Sequence, residues 1–120
     1  MIVLDCSAAV EMVRGTSRGY GFRCLMLKDE HVVASELFRA EVRNAFWKYA
    51  RAGLLSVEDA EAHITEALGL VDEFVPLEEN AAESFAEAAR QSHPVYDLFY
   101  VTLARRNAAT LLTADKKLVA

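Results

Sequence analysis

Ile2-Val3-Leu4-Asp5-Cys6-Ser7-Ala8 is the stretch whose reading decides the fold. Three apolar residues without alternation make a short strand buried on both faces, the mark of a parallel sheet. Residues 2–5 are read as that strand, and a helix starts at about Ser7. The run ends on a carboxylate, and a carboxylate there loses hydration that something must repay. Working outward, Gly15-Thr16-Ser17 breaks the first helix and a second covers 17–28, with Tyr20, Cys24 and Leu27 near one face. His31–Ala34 is a second strand, and Ser35 is placed to cap the helix over 36–52. Gly53 ends that helix. Ser56 caps another running to about 68. Leu70–Val75 reads as a third strand closed by Pro76, Glu78–Gln91 as an alanine-rich helix, and 95–107 as a helix after the break at His93-Pro94. Ala109–Thr113 is a fourth strand, and Asp115 begins a last helical turn. Strands alternate with helices, which predicts an α/β sandwich with a mostly parallel sheet.

The chain has 120 residues, so a single domain over 1–120 is expected. With 53% hydrophobic and 26% charged residues it is not a disordered chain. The net charge of −5 gives no long-range attraction to nucleic acid and weighs against a plain DNA-binding module. A nuclease stays open, because bound cations and local basic groups hold phosphate. Cys6 and Cys24 form no CxxC spacing. The first residues lack a basic leader region, and no apolar run approaches membrane-spanning length. A cytoplasmic protein with free thiols and no membrane contact is expected.

Four acids stand in apolar surroundings. Asp5 ends the first strand, and Glu41 lies toward the oily stripe of helix 36–52, read as Leu37, Phe38, Ala45 and Tyr49. Asp97 opens Leu98-Phe99-Tyr100-Val101 and shares a stripe with Val101, Ala104 and Ala108. Asp115 follows Thr110–Thr113. Each acid has an ordinary explanation as a cap or as an edge residue reaching water. Four together point to one acidic pocket. Two carboxylates about 4 Å apart repel by roughly 4 kcal/mol at an effective dielectric of about 20. Mg²⁺ or Mn²⁺ relieves that repulsion and prefers oxygen ligands. His31, His63 and His93 are scattered, so a zinc set is not expected. Such a cluster suits phosphodiester hydrolysis by a metal-activated water. Ser7, Asn44 and Thr113 are supporting polar candidates. Neither Cys6 nor Ser7 has a partnered His.

In order and spacing, four pieces resemble the PIN domain, and within it the VapC-type toxins of type II toxin–antitoxin pairs. They are Ile2–Ala8, Ala40-Glu41-Val42-Arg43-Asn44-Ala45, Tyr96-Asp97-Leu98-Phe99-Tyr100-Val101-Thr102-Leu103-Ala104, and Leu111-Leu112-Thr113-Ala114-Asp115-Lys116-Lys117-Leu118. The resemblance implies a PIN-like α/β/α sandwich with a mostly parallel sheet of four to five short strands. It implies a Mg²⁺- or Mn²⁺-dependent endoribonuclease whose metal site is Asp5, Glu41, Asp97 and Asp115, with Asp5 and Asp97 most direct. It also implies a homodimer and a small antitoxin covering the site. Members of that family usually carry a further strand past the last acid, whereas this sequence ends at Ala120. Lys116 and Lys117, beside Asp115, are the favoured RNA contacts; Arg14, Arg18, Arg39 and Arg43 read mostly as solvated charge. Tyr20 and Phe22 are read either as interface positions or as core. Two alternatives stand beside the ribonuclease: a non-catalytic PIN-like interaction module, and a phosphoryl-transfer enzyme with Asp5 as nucleophile.

Overall fold

The computed structural model describes residues 1–26 and 29–115. Strands β1 (Ile2–Leu4), β2 (Val32–Ser35), β3 (Glu73–Val75) and β4 (Thr110–Leu112) form one sheet in the order β3-β2-β1-β4. Every pairing is parallel, with Val3 opposite Val33 on one side and Leu111 on the other. The two central strands are buried at every residue, while the edge strands β3 and β4 each begin exposed. Continuous apolar runs without alternation therefore mark the centre of this sheet.

Among the described residues there are six α-helices: α1 (Cys6–Arg14), α2 (Ser17–Met26), α3 (Leu37–Arg51), α4 (Val57–Gly69), α5 (Ala81–Gln91) and α6 (Val95–Arg106). The crossovers β1-α1-α2-β2 and β2-α3-α4-β3 advance across the sheet in one direction. The crossover through α5 and α6 to β4 goes back the other way. Because parallel crossovers are right-handed, this reversal puts α5 and α6 on the face opposite α1–α4. The contacts agree: α1 to α4 touch one another, while α6 packs on β1, β2 and β4. The architecture is the expected α/β/α sandwich.

Several elements are shorter than the sequence suggests. Leu70 caps α4, and β3 is only Glu73–Val75. The helix expected over Glu78–Gln91 is a 3-10 turn at Leu77–Glu79 followed by α5. There Asn80 is buried and donates through Nδ2 to Phe99 O (2.9 Å) and Thr102 Oγ1 (2.7 Å), which ties α5 to α6. Ser35 lies in β2, yet its Oγ still accepts from Leu37 N (3.2 Å) at the start of α3. The oily stripe of α3 is Phe38, Val42 and Phe46, all fully buried, rather than Leu37, Ala45 and Tyr49, which are partly exposed. The stripe is thus rotated from the expected one, and Glu41 lies beside it rather than on it. Phe22 packs against the core, while Tyr20 is 71% exposed. Leu27 and the proposed last turn after Asp115 lie outside the described residues.

α1 and α2 approach very closely. Gly15 ends α1 with φ 71°, a left-handed position suited to glycine. Gly19, buried in α2, lies so near α1 that a Cβ there would be 2.0 Å from Glu11 O.

Candidate active site

Sites in open parallel sheets form outside the carboxyl ends of strands, where the order of strands reverses. In this sheet that point lies between β1 and β4. Asp5 directly follows β1 and is 4% exposed. It N-caps α1, its Oδ1 accepting from Ala8 N (3.0 Å), and Ser7 Oγ donates to the same oxygen (2.7 Å). Asp5 therefore caps α1, and the same side chain lines a cleft. Ser7 Oγ in turn accepts from Ala114 N (2.9 Å) and lies 3.4 Å from Thr113 Oγ1. Thr113 Oγ1 accepts from Asp115 N (3.0 Å). Ser7 and Thr113 thus splice the ends of β1 and β4, placing Asp5 and Asp115 on one rim.

Glu41 reaches the same place from the middle of α3. Tyr100 Oη donates to its Oε1 (2.5 Å). Tyr100 is 1% exposed and belongs to α6, so this bond joins the two helical faces across the sheet edge. Asp97 enters from the first turn of α6, with His93 Nε2 3.9 Å from its Oδ2. Asp5, Glu41, Asp97 and Asp115 all line one cleft of about 750 Å³, with Ser7 and Asn44 among the other walls. Asn44 is exposed one turn along α3 from Glu41. Lys116 and Lys117 lie outside the described residues. Of the other histidines, His31 pairs with Glu73 (3.0 Å) and His63 stacks on Phe46 (5.4 Å), both away from the cleft.

Burial pushes the Asp5 carboxyl above its ordinary value, against hydrogen bonds from Thr113, Ala8 and Ser7 that lower it, and the Asp97 charge adds to the rise. Glu41 is raised for the same leading reason, with Asp97 and Asp5 adding repulsion and Tyr100 opposing it. Three of the four acids therefore feel one another's charge. Among the described residues no three His, Cys, Asp or Glu side chains stand close enough to share a metal ion. The four acids ring the cleft rather than converge. The donor chemistry, carboxylate oxygen only, suits a hard cation such as Mg²⁺ or Mn²⁺. The Cys6 thiol is pushed up to about 12, by burial first and then by Glu41 and Asp5, so it stays protonated and is no nucleophile.

The raised carboxyls fix the sign of a pH effect. A group whose folded pKa exceeds its unfolded one stabilises fully below the unfolded value, and that contribution is lost as pH rises through the folded value. Asp5→Asn and Glu41→Gln remove that loss. In chelator-treated protein, the Tm of either variant relative to wild type is expected to climb as pH goes from about 4, the ordinary carboxylate value, toward neutral. A flat or falling difference in thermal melts would contradict the burial argument.

The PIN domain model matches residues 2–120. The chain belongs to the PIN domain family. Ribonuclease VapC3 of Pyrobaculum aerophilum is 30% identical over 122 residues, covering 98% of this chain and 91% of that protein. Two solved structures share the fold. PAE2754 of P. aerophilum superposes with a TM-score of 0.76 at 22% identity, over 98% of this chain and 76% of that one. VapC20 of Mycobacterium tuberculosis, a toxin that cleaves the sarcin–ricin loop, gives 0.66 at 19% identity, over 99% and 93%. Within this PIN domain, Tyr100 and Lys48 are among the cleft residues that sequence reasoning missed. Tyr100 was hidden in an apolar run, although it is three residues from Asp97 on one helix. Lys48 lies seven residues from Glu41, hence on the same helical face, and also lines the cleft.

Proposed function

We propose that this chain is a Mg²⁺- or Mn²⁺-dependent endoribonuclease acting as the toxin of a toxin–antitoxin pair. The observation that carries the reading is the gathering of Asp5, Glu41, Asp97 and Asp115, from four separate segments, on one cleft at the sheet's switch point. The name of the 30% identical relative supports RNA as substrate. Asp5 and Asp97 would hold the cation most directly, Glu41 and Asp115 partly through water. Such a cation supplies charge neutralisation and an activated water for phosphodiester hydrolysis. The chain's own groups prepare that arrangement. Ser7 Oγ and Ala8 N fix the Asp5 carboxylate, and Tyr100 Oη aims Glu41 into the cleft. Burial of Asp5 keeps bulk water off its carboxylate, which strengthens its pull on a cation. An aspartate nucleophile is less well supported, since Asp5 Oδ1 already accepts two hydrogen bonds. A cognate antitoxin, a homodimer and a cytoplasmic setting complete the proposal. Among the described residues no helix is long and apolar enough to cross a membrane.

The test is cleavage-site mapping on total cellular RNA with Mg²⁺ or Mn²⁺ supplied or chelated. Discrete cuts that vanish with chelator are expected; intact RNA throughout, or equal cutting without metal, refutes the reading. Independently of activity, Mn²⁺ is expected to raise the Tm of wild type more than that of Asp5→Asn.

A further inference from the structure

The start of α6 governs two of the cleft's acids. Asp97 stands in its first turn, and Tyr100, one turn on, donates to Glu41 (2.5 Å). Yet Pro94 leads into α6 without a side-chain cap bond. Leu98, Phe99 and Tyr100 are buried there, but apolar burial is non-directional. Direction comes from three buried polar side chains, Asn80, Ser84 and Thr102. Asn80 Nδ2 donates to Phe99 O (2.9 Å) and to Thr102 Oγ1 (2.7 Å). Thr102 Oγ1 donates to Leu98 O (2.9 Å). Ser84 Oγ donates to Asn80 O (2.7 Å) and lies 2.8 Å from Thr102 Oγ1. The bonds to α6 thus fall on residues 98, 99 and 102, directly after Asp97. Five residues at about 100° each put Thr102 about 140° around the helix from Asp97. None of the three side chains lines the cleft.

We propose that Asn80, Ser84 and Thr102 are positioning residues for the cleft: by pinning α6 to α5 behind Asp97, they set where Asp97, and Glu41 through Tyr100, meet a cation shared with Asp5. The inference rests on the metal-dependent reading of the cleft and extends it to side chains that touch neither metal nor substrate. Hydrogen bonds are short and angular, so they resist the small rotations and slides that apolar contacts permit. A fully satisfied buried network rigidifies its surroundings and specifies one arrangement. Among the described residues no buried side-chain nitrogen or oxygen lacks a partner, so this network is complete. A carboxylate on a helix turned or shifted by a fraction of a turn presents its oxygens elsewhere, and small misplacements of this kind are costly even when their origin is remote.

The experiment titrates Mn²⁺ into the full chain and reads free Mn²⁺ by electron paramagnetic resonance, at a temperature where thermal melts show each variant folded. Thr102→Val keeps the shape and removes the hydroxyl at the centre of the network. It is expected to weaken Mn²⁺ binding about three- to tenfold, less than the roughly 10–100-fold typical of losing a group bonded directly to a metal ligand. Thr102→Ser keeps the hydroxyl and is expected to bind as wild type does. Val71→Ala, a truncation in the core between α4 and β3, is expected to lower Tm and leave Mn²⁺ affinity unmoved. Wild-type affinity in Thr102→Val, an equal loss in Thr102→Ser, or the same loss in Val71→Ala overturns the inference. If Thr102→Val does not fold, Ser84→Ala takes its place, with a loss of at least about twofold expected and wild-type affinity counting equally against the inference. Wild-type protein that binds Mn²⁺ but cuts no RNA refutes the ribonuclease reading and leaves the Thr102 effect standing; wild-type protein that binds no Mn²⁺ refutes both.

Discussion

Asp97→Asn is expected to slow RNA hydrolysis by at least about a hundredfold while the protein stays folded. Asp97 feeds charge into both Asp5 and Glu41, so it belongs to the electrostatic centre of the cleft. An amide of the same shape removes the charge that a cation would neutralise and leaves the packing of α6 in place. Asp5→Asn is expected to give a similar loss for the same reason, and its amide oxygen still accepts from Ala8 N. Asp5→Ala separates the two jobs of that side chain. It loses activity and also about 1 kcal/mol of stability, because the start of α1 loses its cap. The measurement is a cleavage rate in Mg²⁺ paired with a thermal melt of each variant. Wild-type rates from both Asn variants would end the proposed mechanism.

Gly19→Ala carries the largest expected effect on stability. On propensity alone, alanine in a helix gains about 1 kcal/mol over glycine. At Gly19 the new Cβ would stand 2.0 Å from Glu11 O and 2.4 Å from Glu11 C, both backbone atoms that no rotamer change can move. Overpacking of this kind costs typically about 1–3 kcal/mol, and a clash with backbone lies at the high end. The clash outweighs the propensity gain, and a net loss of about 2 kcal/mol is expected. The wedge would part α1, which carries Ser7, from α2, whose Arg18 holds Ala114 O, so the cleft should loosen as well. Gly21 is the internal control. It lies in the same helix with nothing within 4 Å of its notional Cβ, so Gly21→Ala should stabilise by up to about 1 kcal/mol. Urea unfolding of both variants decides the matter; a Gly19→Ala protein at least as stable as wild type would refute the close-approach argument.

The alternation of apolar runs with helical segments made the sandwich legible, and the unalternating runs at 2–4 and 32–34 marked the central strands. The four acids were legible because charge beside an apolar run or stripe demands a reason. The rest depended on distances that one chain of letters does not carry. The face of α3 was misjudged because Leu37, Ala45 and Tyr49 are as apolar as Phe38, Val42 and Phe46, and only the sheet decides which set it covers. Tyr100 looked like core, and it is core; its hydroxyl alone takes part in the cleft. Glu78–Gln91 looked like one helix because nothing local announces that Asn80 turns inward to bind α6.

The splice of Ser7 to Thr113 and Ala114 joins positions as far as 107 apart in sequence. Loop closure over such a span is slow compared with forming local helices. During synthesis, the Asp5 rim therefore waits for β4 to leave the ribosome before it meets Asp115. On the proposed mechanism, chemistry that needs both carboxylates is absent until that rim has closed.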